Sequence, residues 1–340
     1  MKEEDKMKKK TIQDLAYSVL DLSPINEGST AASSFQHTVD LAKHVEKWGY
    51  NRYWLAEHHN KPGIASSATS LVIGHVAANT STIRVGSGGI MLPNHAPLVV
   101  AEQFGTLESL FPGRIDLGLG RAPGTDEATA FALRRDRRSD GSDFPEQLAE
   151  LRAYFSSESM RVNAIPGQGL HVPIWLLGSS GYSAQLAGQL GLPFAFANHF
   201  SPENTLPALH LYRTSFRPSE FLKEPYIMVG TNIIAADSDE EAKILATSLQ
   251  QHQLGLIRNQ QTQLKPPVEN IESICSGYEY SILEHKLSGS MIGSPATVTR
   301  KLEQFVEETQ ADEVIINGQI YDQQARLRSY EIVSNIIKQY

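Results

Sequence analysis

Short apolar segments rich in β-forming residues alternate with longer amphipathic segments along nearly the whole chain. A helix is predicted after nearly every one of these strands, an alternation typical of βαβ units and a parallel sheet. Eight strands in this pattern predict a (β/α)8 TIM barrel, and an open doubly wound sheet is the alternative. The predicted strands are Ala16–Asp21, Arg52–Ala56, Ile83–Gly88, Arg114–Gly120, Pro173–Leu177, Phe194–Ala197, Tyr226–Ile234 and Glu313–Asn317.

Two connections are too long to be simple turns. Arg121–Asp143 follows the fourth predicted strand, and Gln253–Gly293 follows the helix after the seventh. Because the loops after the strands of a TIM barrel form its active-site face, we expect these insertions to shape a functional site. The length of 340 residues fits one barrel domain over residues 1–340, with residues 1–14 as a flexible N-terminal extension.

Charge and cysteine content exclude several classes of protein. The formal net charge of −8 argues against a general binder of nucleic acid or of anionic membranes, because both require a basic surface. A single cysteine, Cys275, rules out an intramolecular disulfide, a cysteine-rich zinc site and an iron–sulfur cluster. The charged start, residues 1–10, is not followed by the apolar stretch of a signal peptide, so a cytoplasmic protein is predicted.

Glu57, His58 and His59 stand at the end of the second predicted strand. Such a group can bind metal, transfer protons or stabilise the end of the strand. Neighbouring strand residues point to opposite faces, so His58 and His59 cannot both face one site without a local bend. The remaining histidines lack companion aspartates at ligand-like spacing, and no metal site is predicted. We expect one of the two histidines to face a bound ligand and the other, which points the opposite way, to be structural.

Glycines mark the ends of the third and fourth strands. Gly86, Gly88 and Gly89 within four positions indicate either close approach to a flat ligand or a bend in the barrel. The fourth strand ends in Gly120 and presents Arg121. Gly118-Leu119-Gly120 resembles the start of a dinucleotide fingerprint, but proline and glycine follow where a helix should begin. A Rossmann site is therefore not predicted.

A fourth segment, Leu177-Gly178-Ser179-Ser180-Gly181-Tyr182-Ser183, joins the fifth strand to a helix. Backbone N–H groups, small hydroxyl side chains and the positive end of a helix together form a typical phosphate site. Helix capping alone would account for one of these serines. The Gly-Lys-Ser/Thr of a nucleotide-binding P-loop is absent from this segment.

These motifs together resemble the bacterial luciferase-like family of flavin-dependent monooxygenases, over most of the chain. The resemblance lies in Glu57-His58-His59, Gly86–Pro93, Pro112–Arg121, Ser180–Ser183 with Gly191-Leu192-Pro193, Gly293-Ser294-Pro295 and Ala311–Asp322. Each motif is weak alone, whereas their order and spacing are specific. The subgroup resembled is that of the alkanal-monooxygenase-like proteins rather than the light-emitting subunits.

The resemblance implies a (β/α)8 barrel that binds reduced FMN or, in some branches, the deazaflavin F420. It makes His58 the catalytic histidine and assigns the flavin phosphate to Arg121, Ser180 and Ser183. It also implies a cis peptide bond between Gly88 and Gly89 beneath the flavin ring. The predicted cofactor-binding residues are Gly88, Gly89, Gly120, Arg121, Ser180, Gly181, Tyr182 and Ser183.

Two positions depart from the light-emitting subunits. Gly120 stands where they carry a reactive cysteine, and Ala96 where they carry a second histidine, with His95 one position earlier. These departures weaken the case for light emission or an aldehyde substrate, but not for flavin binding.

The function predicted from the resemblance is a two-component monooxygenase, which uses FMNH2 and O2 to oxygenate a small organic substrate. A separate flavin reductase and a homodimer are expected. The alternatives are an F420-dependent oxidoreductase and a flavin-binding protein without turnover. The acidic tail of F420 would require a basic surface, for which Arg134, Arg135, Arg137 and Arg138 are candidates; a solvated charged face is the other interpretation of that run.

Overall fold

Nine parallel strands form the sheet in the computed structural model, which describes residues 9–122, 126–134 and 141–340. The strands are β1 Ala16–Asp21, β2 Arg52–Leu55, β3 Arg84–Met91, β4 Ile115–Gly120, β5 Ile174–Gly178, β6 Phe194–Ala197, β7 Ile227–Ala235, β8 Met291–Gly293 and β9 Glu313–Asn317. The α-helices are α1 Ala31–Lys47, α2 Thr69–Ala78, α3 Pro97–Leu110, α4 Glu127–Leu133, α5 Phe144–Phe155, α6 Gly181–Leu190, α7 Thr205–Ser215, α8 Asp239–Ile257, α9 Gly277–Lys286, α10 Pro295–Thr309 and α11 Gln323–Lys338.

The strands close into a barrel. Strands β1 to β7 pair with their neighbours in chain order, and β9 pairs with both β7 and β1. The closure leaves β8 outside as a short addition to β7. The predicted (β/α)8 TIM barrel is confirmed, and the open sheet is wrong, because both edges of the sheet are joined through β6, β7 and β9.

The two long connections are insertions at the carboxyl ends of the strands, as predicted. The connection after β4 contains α4, and the connection between α8 and β8 contains α9. Strand β7 extends beyond the barrel, because Ile227–Gly230 pair with β6 whereas Ile233–Ala235 pair with β8. This extension attaches the second insertion directly to the sheet. Of the predicted basic run, Arg134 donates to the carbonyl of Pro93 at 3.0 Å, and Arg135, Arg137 and Arg138 lie outside the described residues.

The prediction that residues 1–14 form a flexible extension is wrong for residues 10–14, which are held against the barrel. Residues 1–8 lie outside the described ranges, but Lys10 Nζ pairs with Asp312 Oδ1 at 2.5 Å and Ile12 is buried. Burial of an apolar side chain and an ion pair at the start of β9 hold this segment against the barrel.

The interior of the barrel is layered. An apolar layer of Leu20, Trp54, Ala56, Trp175, Ala195, Met228 and Ile315 lies below the carboxyl ends of the strands. Beneath it Asp116 accepts hydrogen bonds from Arg52, Arg84 and the Trp54 indole, at 2.7, 2.5 and 3.2 Å. The charged groups of this lower layer are paired with one another by hydrogen bonds. The apolar layer therefore forms the surface that faces the carboxyl ends of the strands. Within the described ranges, no helix has both the length and the apolar character to cross a bilayer.

Candidate active site

A cavity of about 440 Å³ opens above this floor, at the carboxyl ends of the strands. This is the end of a TIM barrel at which active sites lie. Of the residues predicted from the sequence, those lining the cavity are His58, Gly88, Gly89, Gly120, Arg121, Ser180 and Ser183. Gly181 and Tyr182 do not line it, but both lie in the first turn of α6 beside it.

One corner of the cavity brings together a cationic side chain, two serine hydroxyls and a helix N-terminus. The guanidinium of Arg121 stacks on the ring of Tyr182 at 4.2 Å, and no described carboxylate pairs with it. Ser180 is the N-cap of α6, and its side chain does not cap the helix. The N–H groups of the first turn are therefore available to a ligand, beside a cation and the hydroxyls of Ser180 and Ser183.

Glycine at position 178 makes room for that corner. A Cβ on Gly178 would lie 2.7 Å from the Cβ of Ser183, closer than two such atoms can approach. Any other residue at the end of β5 would displace Ser183 from the cavity wall.

The wall formed by the end of β3 is bare backbone. The peptide bond between Gly88 and Gly89 is cis, which confirms that prediction. A Cβ on Gly88 would lie 2.7 Å from Leu20 Cδ1, and one on Gly89 would lie 2.7 Å from the carbonyl oxygen of Gly118. Gly89 therefore requires glycine, because a side chain there would meet backbone, whereas a side chain at Gly88 would displace Leu20. The resulting wall offers a flat surface to a ligand.

His58 and His59 face different surroundings. His58 lines the cavity, whereas His59 Nε2 lies 2.7 Å from Glu57 Oε1. His95 Nε2 lies 2.8 Å from the same carboxylate oxygen, and the N–H of Met91 donates to Glu57 Oε2 at 3.2 Å. Glu57 thus ties the end of β2 to the end of β3, beside His58.

Glu57 is charged in this arrangement. Burial alone would raise its pKa, but the hydrogen bonds from His59 and His95 outweigh it and lower the pKa to about 2. Glu57, His59 and His95 are also the three residues, among those described, whose ligand atoms lie close enough to hold a metal ion, within 4.8 Å of one another. The absence of a metal site stays a prediction.

His199 is a cavity residue that the sequence analysis did not select. Its Nδ1 lies 3.1 Å from the carbonyl oxygen of Gly230, which can only accept, so Nδ1 carries the proton. Burial, and then the neighbouring His58, lower the pKa of His199. Its ring is therefore neutral at neutral pH, with Nε2 as a hydrogen-bond acceptor. Its position in the loop that follows β6 is the sequence feature that could have identified it as a cavity residue.

The rim of the cavity comes from segments far apart in the chain. Lys61 and Gly63 follow β2, His252 lies on α8, and Gln261 and Thr262 begin the second insertion. A Cβ on Gly63 would lie 2.5 Å from the carbonyl oxygen of Thr262, so the two loops are in close contact. The rim residues carry no local motif, and the sequence analysis missed them for that reason.

Comparison with known proteins identifies the family. The profile of luciferase-like monooxygenases matches residues 16–313. A luciferase-like monooxygenase of Escherichia coli (strain K12) is 54% identical over 328 residues, which are 96% of this chain and 98% of that protein. The N-acetyl-S-alkylcysteine monooxygenase of Bacillus subtilis (strain 168) is 32% identical over 334 residues, 94% of this chain and 97% of that protein. This chain belongs to the luciferase-like monooxygenase family, as the sequence motifs predict.

Solved structures agree with this assignment. The crystal structure of apo-MsnO8 has a TM-score of 0.85 and 32% identity, over 95% of this chain and 98% of that chain. Two more distant structures share the fold alone. One is the oxygenating constituent of 3,6-diketocamphane monooxygenase from Pseudomonas putida in complex with FMN, with a TM-score of 0.72 and 17% identity over 95% of this chain and 97% of that chain. The other is an F420-dependent secondary alcohol dehydrogenase in complex with an F420-acetone adduct, with a TM-score of 0.67 and 12% identity over 95% of this chain and 99% of that chain.

Proposed function

We propose that this protein is an FMN-dependent monooxygenase, which uses reduced FMN and O2 to oxygenate a small organic substrate. One observation carries the proposal: the corner around Arg121, the bare glycine wall and the apolar floor all line one cavity. The chain belongs to a family of monooxygenases, in which such a cavity would hold a flavin and a substrate. The sequence has no dinucleotide fingerprint, which supports delivery of the reduced flavin by a separate reductase. The homodimer stays a prediction.

The residues present fit FMN. Arg121, Ser180, Ser183 and the first turn of α6 would hold the phosphate, since a phosphate accepts from a guanidinium, hydroxyls and helix N–H groups. The backbone of Gly88 and Gly89 would support the flat ring system. When bound, reduced FMN supplies the two electrons needed to put one oxygen atom of O2 into the substrate and release the other as water.

The chain itself would orient the reactants, exclude water and handle protons. Leu20, Trp54 and Ile315 make the floor apolar, which keeps bulk water from the reacting atoms. His58 would donate or accept a proton at the substrate, a task that suits an imidazole at neutral pH. His199, held with Nε2 as acceptor, would position a hydrogen-bond donor opposite it.

Loss of the cationic group tests the cofactor site. Arg121→Ala should weaken the binding of FMN about 10- to 100-fold, the worth of a charge-assisted phosphate contact of about 1.5–3 kcal/mol. Quenching of flavin fluorescence on titration with protein measures this without any turnover. Arg161→Ala is the matched control, because Arg161 is exposed and lies outside the cavity.

Three results would contradict the proposal. Equal FMN affinity of Arg121→Ala and wild type would mean that the corner does not hold the phosphate. Tight binding of F420 with negligible binding of FMN would move the protein to the F420-dependent alternative. A protein that binds reduced FMN but consumes no O2 beyond the free flavin, with any substrate tried, would be the flavin-binding alternative.

A further inference from the structure

Lys61 is a half-buried cation on the rim of the cavity. Among the described residues, none of the carboxylates pairs with it. The amide oxygen of Gln261 lies 3.2 Å from Nζ when the amide is oriented to satisfy both its groups. Partial removal of an ammonium group from water costs free energy that an amide oxygen alone does not restore. An anionic ligand would restore it.

The charges around the cavity favour a second anion. Glu57 is the acidic residue among the described lining, and its two oxygens are already occupied by His59, His95 and the N–H of Met91. The described lining therefore carries two cations, Lys61 and Arg121, and none of its carboxylate oxygens is left to neutralise either. If a cofactor phosphate pairs with Arg121, the ammonium group of Lys61 is still available to bind another anionic molecule.

The barrel keeps these two cations apart. Arg121 follows β4 and contacts the first turn of α6, after β5, whereas Lys61 follows β2 and contacts the second insertion, which itself contacts residues after β1. In the closed sheet, β3 lies between the two strands that these residues follow, β2 and β4. A molecule bound at Lys61 would thus lie at a different part of the rim from the corner around Arg121.

The rest of the rim fits a carboxylate with an apolar body. Thr262 and Gln261 offer neutral polar groups beside Lys61, and His252 is kept neutral by burial and by the charge of Lys61, which both lower its pKa. Leu256, Ile64 and Leu22 are apolar residues of the same lining. The cavity thus offers one positive charge at its rim together with apolar walls.

We propose that Lys61 binds a carboxylate of the substrate, so that the substrates of this site are small organic acids with an apolar body. That the bound acid is a substrate rests on the proposed function, whereas the binding of a carboxylate at Lys61 rests on the cavity alone. The carboxylate would remain at the rim, and the apolar part of the acid would reach down towards His58.

Matched acid and amide probes test this selectivity. We would measure the affinity of octanoate and of octanamide by calorimetry, with the full-length protein both free of flavin and saturated with FMN. Wild type should bind octanoate about 10-fold or more tightly than octanamide, as expected for a charge-assisted hydrogen bond. Lys61→Met should abolish the preference, and Lys61→Arg should keep most of it. Lys43→Met is the control, because Lys43 is exposed on α1, outside the cavity.

Three outcomes would overturn the proposal. The first is an octanoate affinity no better than that of octanamide in wild type, including no measurable binding of octanoate. The second is a preference for octanoate that survives in Lys61→Met. The third is a loss of FMN affinity in Lys61→Met, which would make Lys61 a cofactor contact. Failure of the FMN proposal would appear separately, in the Arg121→Ala titration.

Discussion

Replacing Glu57 by glutamine tests whether its charge ties the ends of β2 and β3 together. The carboxylate is 1% exposed, and its two oxygens accept from His59, His95 and the N–H of Met91. A glutamine has one oxygen and one NH2 group, so at least one of these donors would face another donor. The variant therefore loses both the charge and a hydrogen bond without changing the size of the side chain.

The size of the effect follows from the pKa of Glu57. The pKa lies at about 2 in the folded protein, against 4.5 for an unperturbed glutamate. At about 1.4 kcal/mol per pH unit, this difference is worth about 3 kcal/mol of folding free energy at neutral pH. Because the folded-state pKa is the lower one, this stabilisation is complete above about pH 4.5 and disappears as the pH falls towards 2.

Thermal and urea unfolding at several pH values between 3 and 8 measure this contribution. At pH 7, Glu57→Gln should lower the free energy of unfolding by about 3 kcal/mol and Tm by roughly 5–10 °C. The gap between variant and wild type should narrow as the pH falls below 4.5. Glu220→Gln, on the exposed surface, should change neither quantity. A Glu57→Gln protein as stable as Glu220→Gln, or a gap that does not change with pH, would refute the reasoning.

Three further substitutions have distinct expected outcomes. His58→Ala should bind FMN nearly as wild type does but lose about 10²–10⁴ in turnover of any substrate, the usual worth of a positioned acid–base group; full turnover would contradict its role. His59→Ala should instead lower Tm, because it removes a donor from the buried Glu57, and an inactive but equally stable protein would show the two histidines to be assigned the wrong way round. Arg326→Met should lower the free energy of unfolding by about 3–5 kcal/mol in urea, because it leaves the fully buried Asp21 without its 2.7 Å cation partner. Adding Asp21→Asn should restore part of that loss, and no loss in the single variant would contradict the argument.

The barrel could be predicted because each strand carries its own signal. The bounds of β1, β6 and β9 agree with the sequence prediction, since each is a short apolar run between turn residues. Strand β8 has three residues and exists because β7 offers it an edge, which no local pattern shows. Helix α9 was missed because Leu283 is its one buried residue, so it has no apolar stripe.

The candidate site divides in the same way. Residues in contiguous motifs at strand ends, such as His58 and Arg121, could be selected from the sequence, and the structure brings them to one cavity. The partnership of Glu57 with His95 spans 38 positions, and Lys61 meets the second insertion some 200 positions later in the chain. Such contacts depend on the closed barrel rather than on neighbouring residues. They become visible only when the fold is known.

The attachment of the second insertion at both of its ends has an evolutionary consequence. It is fixed near its start by the bridge between Asn26 and Leu264 and at its end by β8 on β7. None of the residues between these points belongs to the described lining of the cavity. Insertions and substitutions there would leave the barrel and the cavity wall unchanged, so relatives that descend from a common ancestor can diverge in this segment without altering what the cavity accepts.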